Sequence, residues 1–342
     1  MIRRLGVVLA CGAVLAGAGC SGDGDGPRDR TVELGFYAYF EPVSRSADPE
    51  PGTAGFDTQV GYEADLLNAV EAMDGVGLSF RRQGVGSWEG IWLRPATEDL
   101  DLASGGITIL ESRTMDAAGN TVVAFTDGHI DFRQSLLVRA ADAARLPDHA
   151  SLGAADIVGA LPNTTGEARL LQLIGVADAA GGLARGTRVE TPGGVVVVPA
   201  DGALSITAAG ASPELAHRVR LIPADPGRPQ VLYMGDEDGA PLGEAALLAA
   251  LREGRVDAVA RGAVGNAQIA AASQGELAVT AYDDRVESGG FAVAADDTDL
   301  LDRMNVAVSW LTDGGRIGFT DWLADPGVFM SRAAQWQPPQ AS

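Results

Sequence analysis

The chain has 342 residues, 46% of them hydrophobic and 21% charged, a globular make-up too long for one compact core, so two lobes are expected. Acidic residues outnumber basic ones 46 to 25, and the formal net charge of −21 excludes a sequence-independent grip on nucleic acid and sets the chain against an anionic membrane surface. The two cysteines, Cys11 and Cys20, both stand near the amino terminus, so the folded body holds no disulfide or thiolate metal site; His129, His149 and His217 are far apart, and neither metal nor cofactor is expected.

Arg3 and Arg4 precede an apolar run from Leu5 to Ala18, and Gly17, Ala18 and Gly19 lead to Cys20, which reads as a secretory signal peptide over 1–19. The run is short for a bilayer span. A flexible tether over 20–30 follows. Thr31–Phe36 alternates as a first strand, and Glu63–Met73 carries Leu66, Leu67, Val70 and Met73 at the spacing of an amphipathic helix. Further strands are expected at Leu78–Phe80, Asp101–Ile109, Phe132–Arg139 and Asp156–Leu161, with helices at Thr165–Ile174 and Gly243–Arg252. This alternation predicts an α/β fold with largely parallel sheets. Residues 176–242 interrupt it with many Gly and Pro and the run Val195–Val198, and read as an inserted β-hairpin with loops that carries no chemistry. The Pro- and Gln-rich tail, Gln335–Ser342, is expected to fray.

Several short pieces recur in a telling order. They are Gly55-Phe56-Asp57 with Gly61-Tyr62-Glu63-Ala64-Asp65-Leu66, then Trp88-Glu89-Gly90-Ile91, Asp101-Leu102-Ala103, Gly106-Ile107-Thr108 leading to Glu111-Ser112-Arg113, and Phe125-Thr126-Asp127. Val158-Gly159-Ala160 with Thr164-Thr165-Gly166-Glu167, Gly254-Arg255-Val256-Asp257, Gly290-Phe291-Ala292-Val293 and a closing helix from Leu300 to Leu311 complete the series. From about Thr31 to Gln335 this order resembles the extracytoplasmic solute-binding proteins of amino-acid-type ABC importers. The resemblance implies a two-lobed periplasmic-binding-protein-like fold with the ligand cleft between lobes. Lobe 1 would comprise 31–137 plus 290–338 and lobe 2 140–285, with crossings near Leu137–Ala140 and Arg285–Gly290. It also implies a monomer that captures a small carboxylate-bearing solute, an amino acid or a related organic acid, and delivers it to an ABC permease. The start of the chain resembles a bacterial lipoprotein signal with Cys20 as the acylated residue, although Gly17 stands where that signal usually has leucine; ordinary cleavage and release is the alternative.

The candidate site follows from the same pieces. Arg113 lies just past a strand end, where parallel α/β sheets expose their ligands and a guanidinium can hold a carboxylate, and in the family the arginine there grips the ligand's α-carboxylate; the lesser alternative is a surface arginine paired with Glu111 or Asp116. The backbone at Gly106 and the Thr108 hydroxyl offer further donors. Thr164 and Thr165 precede a helix and serve as a cap, as an anion site, or as both. Phe40 and Trp88 match family positions whose rings sandwich the ligand, with core packing as the competing explanation. Where amino-acid binders place an aspartate for the α-ammonium, this chain has Gly262, preceded by Arg261. Either another acid, such as Glu287, substitutes or the ligand lacks that group. A dehydratase on the same scaffold, of the cyclohexadienyl dehydratase kind and using Glu111, Glu167 or Glu287, is the alternative activity. A ligand-sensing partner of a membrane receptor is another.

Overall fold

The computed structural model describes residues 29–97, 99–235 and 243–338. The expected signal peptide, Cys20, most of the tether, residues 236–242 of the insertion and the last four residues of the tail lie outside these. The tether ends earlier than expected, because Arg30 already opens the first strand and ion-pairs with Asp101 and Asp297 at 2.8 and 2.7 Å.

Two sheets organise the molecule. In the first, the strand Arg30–Tyr37 lies between Leu78–Val85 and Leu102–Ser104, parallel to both, and Ala292–Ala294 then joins Leu102–Ser104 to Val123–Phe125 through antiparallel pairings. Val32, Leu34 and Phe36, every second residue of the first strand, are fully buried. The helix Tyr62–Glu71 packs Leu66, Leu67 and Val70 on this sheet, and Thr298–Leu311 adds Leu300, Met304, Val308 and Leu311 from one face. The expected strand Asp101–Ile109 is cut to three residues, since Gly105 and Gly106 take φ of 137° and 70° and turn the chain out of the sheet.

The second sheet has eight strands in the order 194–197, 188–191, 220–222, 230–232, 157–160, 258–262, 134–139, 277–280. Only the strand at 157–160 makes parallel pairings in it, with its two neighbours. The expectation of largely parallel sheets is therefore corrected: the insertion adds strands by up-and-down turns, and the segments that return between lobes enter against the local direction. Far from a lone hairpin, the insertion supplies half of this sheet and a separate small hairpin, Ile206–Thr207 with Gly210–Ala211. Its outermost strand, Gly194–Val197, leaves Val195 and Val197 about half exposed. Leu136, Val158, Leu170, Leu171, Val189, Leu221 and Val231 form the core beneath.

Between the sheets runs a two-stranded ribbon, Ile130–Phe132 against Glu287–Gly289. The expected strand Phe132–Arg139 is thus two strands, and Gln134–Arg139 belongs wholly to the second sheet, so an expected boundary at 137 falls inside a strand. The helix Ala263–Ala272, with small apolar residues on all sides, was not legible as an amphipathic pattern. Among the described residues no helix is long and apolar enough to cross a membrane, and no group of His, Cys, Asp and Glu is placed to hold a metal.

Candidate ligand-binding site

A cavity of about 80 Å³ lies between the lobes, at the carboxyl ends of the strands Arg30–Tyr37 and Ala258–Gly262. From the first lobe come Tyr37, Phe40, Trp88, Gly106 and Thr108. The Tyr37 and Trp88 rings meet edge to face with centroids 5.2 Å apart, and Phe40 leans on Phe132 of the connecting ribbon at 5.9 Å. Gly106 is required where it stands: its backbone is left-handed, and a Cβ there would lie 2.5 Å from the Phe40 ring. The Gly105 and Gly106 amides both donate to the wholly buried Glu63 carboxylate, at 2.7 and 2.9 Å. Burial pushes that carboxyl up to about 7, against the pull of the two amides. His129 stands 3.6 Å from it, and burial drives the imidazole down to about 3.

From the second lobe come Thr164, Thr165, Gly166, Arg261 and Gly262. Thr164 caps the helix Thr165–Leu173, its hydroxyl accepting from the Glu167 amide at 3.2 Å, and Thr164, Thr165 and Gly166 at the start of that helix line the cavity. The Thr165 hydroxyl accepts from Gln134 Nε2 at 3.0 Å, and Gln134 Oε1 is buried without a hydrogen-bond partner among the described residues. Arg261 is nearly buried at the end of its strand, with its guanidinium 5.6 Å above the Phe40 ring. Its Nη1 lies 2.5 Å from Glu244 Oε1 in an ion pair angled away from hydrogen-bond geometry, and Nη2 has no partner among the described residues. Burial lowers the Arg261 pKa and raises that of Glu244, each opposed by the other's charge. The cavity therefore presents one cation and one carboxylate side by side between aromatic walls.

Phe40, Trp88, Gly106, Thr108, Thr164, Thr165, Arg261 and Gly262 thus meet around one space. Arg113 does not line it. It sits in the short turn Glu111–Arg113, fully buried, over the Trp92 ring at 4.4 Å and the Trp88 ring at 5.3 Å. Its guanidinium donates to the main-chain oxygens of Ala208 (2.9 and 3.2 Å), Thr108 (3.2 Å) and Asn163 (3.5 Å). The surface pairing with Glu111 or Asp116 is therefore excluded. Burial without a hydrogen-bonded acid lowers its pKa to about 9, with Glu287 pulling the other way.

The acids also fall differently from expectation. Glu287 accepts from Gln134 at 3.0 Å and faces a neighbouring cavity, so the acid that lines the main one is Glu244. Glu111 is exposed, and Glu167 is wholly buried in a two-bond pair with Arg218 of the insertion, at 2.7 Å each. Sequence reasoning missed Tyr37, Phe132, Gln134 and Glu244. Phe132 and Gln134 read as strand residues, Tyr37 fell one residue past the expected first strand, and Glu244, after Gly243 at a helix start, carried only the signal of a first-turn acid.

Two lobes, each built on its own sheet, with a ribbon between them and a cavity at the strand ends, define a solute-binding protein of the two-lobed periplasmic type. The chain belongs to the bacterial extracellular solute-binding proteins, family 3, whose model matches residues 51–318. Similar solved structures include the arginine-bound form of truncated ArgBP from T. maritima, 20% identical with a TM-score of 0.51, covering 81% of this chain and 94% of that one. AbpA from Streptococcus pneumoniae bound to L-arginine is 15% identical with a TM-score of 0.56, covering 89% and 96%. The ancestral amino acid-binding protein AncCDT-1, a precursor of cyclohexadienyl dehydratase, is 17% identical with a TM-score of 0.52, covering 90% and 95%. At such identities the likeness is one of fold. Among curated proteins none matches this chain.

Proposed function

We propose that this receptor binds a small zwitterionic amino acid and presents it to an ABC permease. The observation that carries the reading is the Arg261–Glu244 pair lining an aromatic-walled cavity between the lobes. A carboxylate there takes the free donors of Arg261 and the amides at the start of the helix Thr165–Leu173. Glu244 takes the ammonium that Gly262 cannot, which keeps the buried charge partnered. Thr108 lies on the same wall, and Phe40 and Trp88 hold the apolar part. The cavity's size favours a compact solute, since one water needs roughly 10–15 Å³ of the same measure. Arg113, behind Trp88, positions the wall without touching the solute.

A panel of L-amino acids and their deaminated carboxylic acids, read by calorimetry, tests this. Arg261→Ala is expected to weaken both sets by roughly 2–5 kcal/mol, and Glu244→Gln to weaken the amino acids far more than the acids. Equal loss for both sets in Glu244→Gln would remove the ammonium assignment; unchanged binding in Arg261→Ala would remove the site.

We propose further that the lobes divide at the ribbon Ile130–Phe132 with Glu287–Gly289, that the receptor acts as a monomer, and that the exported chain is held at the membrane through acylated Cys20. Size-exclusion chromatography with light scattering reads the first state of assembly, and a dimer mass would overturn it. Cys20→Ala is expected to move the protein from the membrane fraction to the soluble one; retention at the membrane would count against the lipid.

A further inference from the structure

Arg113 is fully buried, yet every group to which it donates is a main-chain oxygen. Two of its N–H groups, on Nε and Nη2, converge on the Ala208 carbonyl as a guanidinium fork converges on an anionic ligand. Ala208 stands at the tip of the small hairpin Ile206–Ala211 in the insertion, whereas Arg113 belongs to the first lobe, so the bond crosses the cleft. The hairpin is rooted in the second lobe. Ile206 is fully buried in that lobe's core, its amide donates to Gly181 at 2.9 Å, and Leu183 donates to Leu204 at 2.9 Å. At the tip, Ala209 packs on the first-lobe cluster that includes Tyr37, Ile91 and Trp92.

We propose that the hairpin Ile206–Ala211 is a built-in strap that occupies Arg113 in place of a solute and holds the two lobes together while the cavity is empty. In a clamshell closed by its solute, closure draws its free energy from a molecule that touches both lobes. Here main-chain groups supply that contact. Asn163 reinforces it, its carbonyl accepting from the Trp88 indole at 3.0 Å and its side-chain amide donating to Glu89 at 3.1 Å. Two consequences follow. Solute binding changes the shape of the molecule little, and Arg113 reads nothing of the solute, whose anionic end is left to Arg261. The second consequence rests on the function proposed above; the first does not.

The test is small-angle scattering on the whole exported protein, shown to be empty by native mass spectrometry. It is compared with a variant in which Thr207–Gly210 is replaced by Gly-Gly, and with Ala209→Asp, which keeps the length but charges the apolar contact. The wild type is expected to keep a compact radius of gyration, roughly 20 Å for a chain of this length, and both variants to expand. If the shortened chain fails to fold by circular dichroism, Ala209→Asp decides. An empty wild type as expanded as the variants overturns the strap, and so do folded variants as compact as the wild type. Because these comparisons contain no solute, failure of the amino-acid assignment leaves them standing.

Discussion

Gly265 gives the Arg261 guanidinium the volume it occupies, since a Cβ there would stand 2.5 Å from Nη2. Alanine suits a helix better than glycine by about 1 kcal/mol, so Gly265→Ala leaves stability near or above that of the wild type. The arginine must move instead, away from Glu244 and the cavity. Solute affinity is expected to fall about tenfold, or ~1.4 kcal/mol, with an unchanged melting temperature; calorimetry beside a thermal melt separates the two, and intact affinity would show that Arg261 plays no part. Arg113→Ala is expected to do the reverse. It strands buried carbonyls at Ala208 and Thr108, each worth about 1–3 kcal/mol when left without a donor, so stability falls, and affinity falls only by the cost of closing lobes that the strap no longer holds. Denaturant unfolding checks it, and an unshifted midpoint would mean that water replaces the guanidinium. At this scale the sequence announced residue types and strand ends, which is why Arg261 and Thr165 were legible beside the cavity. The partner of Arg113 was not, because a main-chain oxygen from a distant insertion leaves no side-chain signature.

The helix Tyr62–Glu71 is joined to the turn at Gly105 and Gly106 by one buried carboxylate, and this makes the link sensitive to pH. The Glu63 carboxyl titrates at about 7 when folded, against an ordinary value of 4.5. Between these the folded chain keeps a proton that the unfolded chain has lost, so its contribution to stability falls as pH rises from 4.5 to 7. His129 works oppositely: folded it titrates at about 3 against 6.5, so its contribution grows as pH rises from 3 to 6.5. Over pH 4.5–6.5 the two oppose one another. Glu63→Gln removes the falling part, and its stability is expected to climb more steeply with pH across that window than the wild type's does. Parallel curves from denaturant titrations would show that Glu63 is ionised in both states. The helix itself was legible from Leu66, Leu67 and Val70 at its spacing. The turn was not, since a glycine pair inside an apolar run reads as strand until its φ angles are known.

At the scale of the whole molecule, the order of short motifs carried the two-lobed arrangement, and those around Trp88, Gly106–Thr108 and Thr164–Thr165 reach the cavity between the lobes. Of the ribbon, Glu287–Gly289 falls within the crossing expected near Arg285–Gly290, whereas Ile130–Phe132, only three residues long, was not set apart from the strand that follows it. The insertion was legible as a hairpin but not as half a sheet: its strands at 188–191, 220–222 and 230–232 gain their meaning from pairing with a sheet that begins elsewhere in the chain. Its outer strand, Gly194–Val197, carries a further liability. With Val195 and Val197 half exposed, no charge and no proline, it offers a bare row of main-chain groups on which a second chain can add strand to strand. The formal charge of −21 keeps copies apart in dilute buffer, but at physiological ionic strength the screening length is only about 8 Å. Slow clouding on storage in salt is the expected result. Val195→Glu should delay it in light-scattering time courses, and equal rates in the two proteins would point to another surface. The segment that enlarges the second lobe is thus also the place where colloidal stability would first be lost.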